Sequence, residues 1–175
     1  WGHSIMAGAE KSSGNWTGGI VHENISKNYD PNDLGFNLVT NVWTISAFAK
    51  YNWFEPFGRF NRAWAEIWTG HKRISRPDAY ADYKVNIEFG GAFKNFTWAG
   101  GGIYMEPTRL HDYFETRIDG RHYVSDALIA PGLWISTDYS KTYAFDGRGT
   151  WYQYFEDQRF GYNLVLDNRI RFNDK

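Results

Sequence analysis

Asp82-Tyr83-Lys84-Val85-Asn86-Ile87-Glu88-Phe89 alternates polar and apolar side chains without a break. Successive side chains of a β-strand point to opposite faces, so this stretch has an apolar face of Tyr83, Val85, Ile87 and Phe89, continued by Phe93. The other face carries Asp82, Lys84, Asn86, Glu88 and, further on, Lys94. The same division recurs near the end of the chain. There Phe160, Tyr162, Leu164, Leu166, Ile170 and Phe172 oppose Arg159, Asn163, Asp167, Arg169, Arg171 and Asn173. Val39, Trp43, Ile45, Ala47, Ala49, Tyr51 and Trp53 make a third apolar face, and Ile129, Leu133, Ile135 and Tyr139 a fourth. Helical periodicity is poor throughout. Two segments read less cleanly: 60–70 puts Trp64 and Trp68 on the same face as Glu66, and 96–105 is interrupted by Gly100-Gly101-Gly102.

Composition narrows what such strands can build. Aromatics supply 19% of the 175 residues, with 9 Trp and 12 Tyr, yet the mean hydropathy is -0.59. No run approaches the roughly 18 to 20 apolar residues of a membrane helix. A membrane protein of this composition has to be a β-barrel, which exposes only alternate residues to lipid and carries aromatic girdles at both interfaces. The 19 basic and 20 acidic residues leave a formal charge of -1, which gives no electrostatic reason to expect nucleic acid. With no cysteine there are no disulfides, thiolate metal sites or thiol nucleophiles.

The connections alternate. Ser12 to Asn15, Glu55-Pro56-Phe57-Gly58, Lys94-Asn95 and Ser140-Lys141-Thr142 read as tight turns. Lys27 to Gly35, Lys72 to Ala81, Pro107 to Asp126 and, more modestly, Glu156 to Arg159 read as longer polar loops. Short turns on one side and long loops on the other are the pattern of an up-and-down outer-membrane barrel. Aromatics gather at the tight turns: Tyr51, Trp53, Phe54, Phe57 and Phe60 at one, Phe93, Phe96 and Trp98 at the next, Tyr139, Tyr143 and Phe145 at the third. The sequence therefore predicts an all-β, antiparallel, up-and-down transmembrane β-barrel of about nine strands. Residues 1–175 form part of one barrel domain. Trp1 is no initiator Met, and Phe172-Asn173-Asp174-Lys175 reads as a strand running into a turn, so upstream and downstream segments are expected to be missing.

Chemistry-bearing clusters are thin. Glu106, His111, Asp112, Glu115, Asp119, His122 and Asp126 crowd one loop, and His111, Asp112, Glu115, Asp119 and His122 are its weak metal candidates. They lack HExxH or comparable spacing, and long barrel loops are ordinarily polar, so neither a metal nor another cofactor is expected. Asp30-Pro31-Asn32-Asp33-Leu34-Gly35 reads as turn chemistry in preference to a calcium loop. Glu66 with Glu88, and Asp138 with Asp146, are carboxylate pairs that glycoside hydrolysis would need at defined separations. Inward Arg62, Lys84, Arg148, Arg169 and Arg171 make a neutralising lumen network the simpler role, and no catalytic residue is assigned. No serine lies in a GxSxG context. Asn15-Trp16-Thr17, Asn24-Ile25-Ser26 and Asn95-Phe96-Thr97 fit the glycosylation pattern but read as strand composition. Tyr104, Tyr113, Tyr123 and Trp134 are weak candidates for stacking on a ligand such as a sugar.

Several stretches in order carry a resemblance: Gly14-Asn15-Trp16-Thr17-Gly18-Gly19; Asn28-Tyr29-Asp30-Pro31-Asn32-Asp33-Leu34-Gly35-Phe36; Tyr51 to Phe60 around Glu55-Pro56; and Glu66-Ile67-Trp68. Phe93-Lys94-Asn95-Phe96, Asp112-Tyr113-Phe114-Glu115, Gly120-Arg121-His122-Tyr123 and Trp134-Ile135-Ser136-Thr137-Asp138-Tyr139 continue it. Over nearly its whole length the chain resembles the barrel region of the domain of unknown function 5916 family of Bacteroidota outer membranes. The Asp30 to Phe36 run is the most specific part. The resemblance implies a bacterial outer-membrane location and an upstream module similar to carbohydrate-binding domains of the ninth family, which is not in this sequence. The expected function is a non-enzymatic cell-surface binding or uptake component, with glycans as the ligand class the family association suggests. The lipid bilayer and other envelope subunits are its expected partners. A membrane-embedded hydrolase and a structural subunit of an envelope complex are the alternatives.

Overall fold

The computed structural model describes residues 1–30, 39–116, 118, 120–156 and 158–172. Its strands are β1 (Ser4–Lys11), β2 (Trp16–Ile25), β3 (Val42–Trp53), β4 (Phe60–Ile74), β5 (Ala79–Phe93), β6 (Trp98–Glu106), β7 (Leu110–Asp112), β8 (Tyr123–Ser125), β9 (Leu128–Ser136), β10 (Tyr143–Tyr154) and β11 (Phe160–Ile170). Nine of them form one antiparallel sheet in the order β1-β2-β3-β4-β5-β6-β9-β10-β11, and β7 pairs with β8 in a separate hairpin. Every neighbour in the large sheet is the next strand of that sheet along the chain. The topology is therefore up-and-down, and the nine strands match the expected number. The sheet does not close into a barrel: β1 and β11 are its two edges. A closed barrel needs a ladder between first and last strands, and these two make none within the described residues.

Antiparallel partners share a face, so the register sorts every side chain. Ile67 pairs with Ile87, and Ile87 with Ile103, on the apolar face. One residue along, Lys50 pairs with Glu66, Glu66 with Glu88, and Glu88 with Gly102 on the polar face. The division read from 82–89, 43–53 and 160–170 holds across the sheet. Trp64 and Trp68 do lie with Glu66 on the polar side. Apolar side chains there need room, and glycines supply it: a Cβ at Gly90 would come within 2.5 Å of the Trp64 indole, and one at Gly100 within 2.8 Å of the Trp134 indole. For that reason β6 runs unbroken through Gly100-Gly101-Gly102, where the sequence suggested an interruption.

Two connections differ from the sequence reading. Lys72 to Ala81 is no long loop, because β4 and β5 each run for 15 residues and turn at 75–78. A register shift between Lys72 and Arg73 upsets the alternation that would have revealed it. The turn is clasped by Arg73 donating to both Asp78 oxygens at 2.8 and 2.7 Å. Asn41 reaches across from the preceding loop, donating to the Arg76 carbonyl at 2.7 Å and accepting from its N–H at 3.1 Å. Pro107 to Asp126 is likewise not bare loop but contains the β7-β8 hairpin. The Asp30 to Gly35 turn lies, apart from Asp30, outside the described residues.

Among the described residues the sheet has no second layer. The buried apolar cluster sits at its loop end, on the polar side, where Ile25, Val42 and Ile74 meet Tyr29, Ala79 and Tyr113 from the hairpin. On the apolar face, even residues of central strands stand open, with Ile67 45% and Ile87 44% exposed.

Candidate functional site

The polar face is concave. Trp64 of β4 and Trp134 of β9 lie three places apart in the sheet, yet their indoles stack with centroids 6.0 Å apart, and Trp64 meets Trp98 of β6 at 6.1 Å. Flat strands about 4.8 Å apart would separate β4 from β9 by roughly 14 Å. Curling toward this face brings the indoles together over Gly90 and Gly100.

Charges fill the same face in pairs. Lys50 meets Glu66 at 3.2 Å, and Asp82 lies 3.5 Å from both Lys72 and Lys84. Lys50 also sits over the Trp64 ring at 5.6 Å, and Arg62 over Trp98 at 4.6 Å. Trp98 was expected in the turn-side aromatic belt; its parity and Arg62 hold it on the polar face instead. Pairing offsets the cost of partly burying a charge, so Glu66 and Asp82 between them hold Lys50, Lys72 and Lys84.

Between the paired charges lies a slot of about 420 Å³ lined by Glu88, Tyr104, Trp134, Arg148, Gly102 and Gly132, with Asn86 and Thr150 at its margins. Its floor follows from register: Glu88 is opposite Gly102, Gly102 opposite Gly132, and Gly132 opposite Thr150. Two successive glycines leave a gap where side chains would otherwise stand. Arg148 pairs with Trp134 two residues along.

The four stacking candidates are divided by the fold. Tyr104 and Trp134 line the slot, the tyrosine donating its hydroxyl to Glu106 at 2.7 Å. Tyr113 packs at the loop end, and Tyr123 is exposed on β8. Of the metal candidates, His111 and His122 stack ring on ring at 4.5 Å, and Asp112 accepts from the backbone N–H groups of Phe114 and Glu115 at 2.8 and 3.0 Å. Asp119 lies outside the described residues, and among the described residues no three His, Asp or Glu side chains gather at a common metal position. Partial burial, the neighbouring His122 and Arg109 hold the His111 pKa below its ordinary 6.5. Glu66 and Glu88 are direct cross-strand partners, but Lys50 already occupies Glu66. Asp138 and Asp146 are not a pair: Asp138 caps the turn at Ser140, and Asp146 accepts from the Tyr139 hydroxyl. The hydrogen bonds from Ser140 hold the Asp138 carboxyl below the usual range.

Sequence reading passed over Gly132 and did not assemble Glu88 with Arg148. Only the strand register brings those three together.

On the other face, aromatics form a row at the tight-turn end. Trp16 meets Tyr51 at 4.8 Å, Tyr51 meets Trp53 at 4.6 Å, and the row runs on through Phe57 and Phe60 to Phe93. At the loop end the rings are of a different kind. His22, Trp43, His71 and Tyr80 lead in steps of 5.4 to 6.1 Å to His111 of the hairpin.

Fold and site together define an open, antiparallel, up-and-down β-sheet with one apolar face and one charged, concave face. Over residues 1–175 the chain matches the family described as Domain of unknown function (DUF5916), and it belongs to that family. No curated protein and no solved structure matches it.

Proposed function

We propose that this sheet is part of the wall of a membrane-spanning β-barrel in a bacterial outer membrane, serving in binding or uptake at the cell surface. The observation that carries the reading is the uncovered apolar face. Across nine strands it presents Ile, Leu, Phe, Trp and Tyr with no layer of described residues packed upon it, whereas soluble monomers rarely expose a continuous apolar patch beyond a few hundred Å². Hydrocarbon is the environment in which such a face is stable. The aromatic row at one end and the His-Tyr-Trp row at the other flank an aliphatic middle, as interfacial girdles do. The concave face, with its ion pairs, suits an aqueous lumen.

A spanning barrel leaves no strand edge unpaired in lipid, so β1 and β11 would each pair with a further strand of the same polypeptide or of another. Glycans are one ligand class for such a lumen, since exposed aromatic side chains favour stacking on a sugar ring. The test is carbonate extraction of membranes containing the native protein, followed by bilayer conductance of the detergent-purified material. Retention through carbonate, release only by detergent and a measurable conductance are expected. Recovery of the protein in the carbonate supernatant would overturn the reading.

A further inference from the structure

The charges lining the slot are unlike the others on the polar face. Lys50 has Glu66, and Lys72 and Lys84 share Asp82. Glu88 and Arg148, in contrast, make no ion pair or hydrogen bond with any described residue, although both line the same 420 Å³. They stand on β5 and β10, three strand spacings or about 14 Å of backbone apart on a flat sheet and less on this curled one, with Arg148 two residues along from the Thr150 that ends the row of Glu88. From Glu88 a glycine floor of Gly102 and Gly132 runs to Thr150, and the partly buried indole of Trp134 is the cross-strand partner of Arg148.

We infer that this slot binds a small zwitterion, a short peptide or free amino acid, with its ammonium group against Glu88 and its carboxylate against Arg148. The argument is one of complementarity. Two unpartnered opposite charges at separate margins of one slot set up a field over the glycine floor, and a molecule carrying both charges in the reverse order satisfies both at once. A neutral solute satisfies neither. Arg148 can grip a carboxylate through two parallel N–H donors, which fixes orientation as well as charge. The Trp134 face offers an apolar side chain a flat surface, and Asn86 and Thr150 supply hydrogen bonds to an amide. The volume lies in the range of small-molecule sites and is far too small for a folded partner. The inference rests on the proposed function only in taking the polar face to be open to water.

The experiment titrates the full chain with the dipeptide glycyl-phenylalanine, its N-acetyl and C-amide derivatives, and maltose, following tryptophan emission. Carbonate extraction is run separately, so that failure of the membrane reading is told apart from failure of the slot. The wild type should give a saturable change with the free dipeptide, weakened about tenfold by acetylation or by amidation, each of which removes one charge-assisted contact. E88Q should bind weakly and become indifferent to acetylation, and R148Q should become indifferent to amidation. That crossed pattern requires direct contact and cannot arise from misfolding. A saturable response to maltose but not to the dipeptide, equal affinity for free and blocked peptides, or no saturable response in folded protein would each overturn the inference.

Discussion

Ile87 and Glu88 are neighbours in one strand and sit at the same depth of the sheet, yet their faces obey different rules. Around Ile87 stand Ile67 and Ile103, side by side and uncovered. Around Glu88 stand a paired Lys50 and Glu66, a glycine floor and stacked indoles. One face is left uncovered by the rest of the described chain; the other is packed and paired within itself. The difference teaches that hydrophobicity here marks the uncovered face, and that packing, usually the property of an apolar core, has moved to the charged side.

The hardest test of that comparison is charge reversal of environment. Ile87→Arg should cost about 2 to 4 kcal/mol at mid-bilayer depth, read as a lowered urea midpoint of the protein folded into vesicles. Glu88→Gln should stay within about 0.5 kcal/mol. Equal effects of the two would break the comparison outright. Next in size, Gly100→Ala should destabilise by about 1 to 3 kcal/mol, since its Cβ would lie 2.4 Å from the Phe89 carbonyl oxygen, and backbone cannot swing aside. Gly90→Ala meets side chains alone, the Trp64 indole at 2.5 Å and the Trp134 indole at 2.9 Å, so adding Trp64→Leu should restore part of the loss, measured in the same titration. That contrast sharpens the claim that packing lives on the polar side.

A smaller effect is expected at Lys50 and Glu66, whose side chains are 32% and 33% exposed. Solvent screening limits their coupling to below about 1 kcal/mol in a double-mutant cycle of Lys50→Met and Glu66→Gln. The slightest and most local change concerns pH. Because His111 has its pKa lowered on folding, docking of the hairpin is complete above the ordinary histidine value of 6.5. It weakens as pH falls through 6.5 toward the folded-state value, because the undocked form takes up the proton first. Protease nicking within β7 and β8 should therefore rise on acidification, and His111→Gln should flatten the dependence.

Much of the sheet was legible because alternation over 82–89, 43–53 and 160–170 is long and clean. The β7-β8 hairpin was not, since three residues per strand carry no readable period. The length of β4 and β5 was hidden by the shift at Lys72 and Arg73, which moved side chains to the wrong face of any simple count. Of the site, Tyr104 and Trp134 were found as aromatics, whereas Gly132 and Arg148 acquire meaning only opposite particular partners. A glycine in a strand announces close approach but does not say of what.

The apolar side of β4 passes through Phe60, Ala63, Ala65, Ile67 and Thr69 before reaching His71 and Arg73. Phe60 to Thr69 spans about 31 Å at a rise of about 3.4 Å per residue. Tilted by about 40°, as barrel strands are, that length projects to roughly 24 Å, close to the height of an outer-membrane apolar band. On the proposed membrane reading the strand is thus a ruler with its own graduations: it would set how thick a bilayer such a wall is cut for, and everything from His71 to the Arg73–Asp78 clasp would stand above the surface.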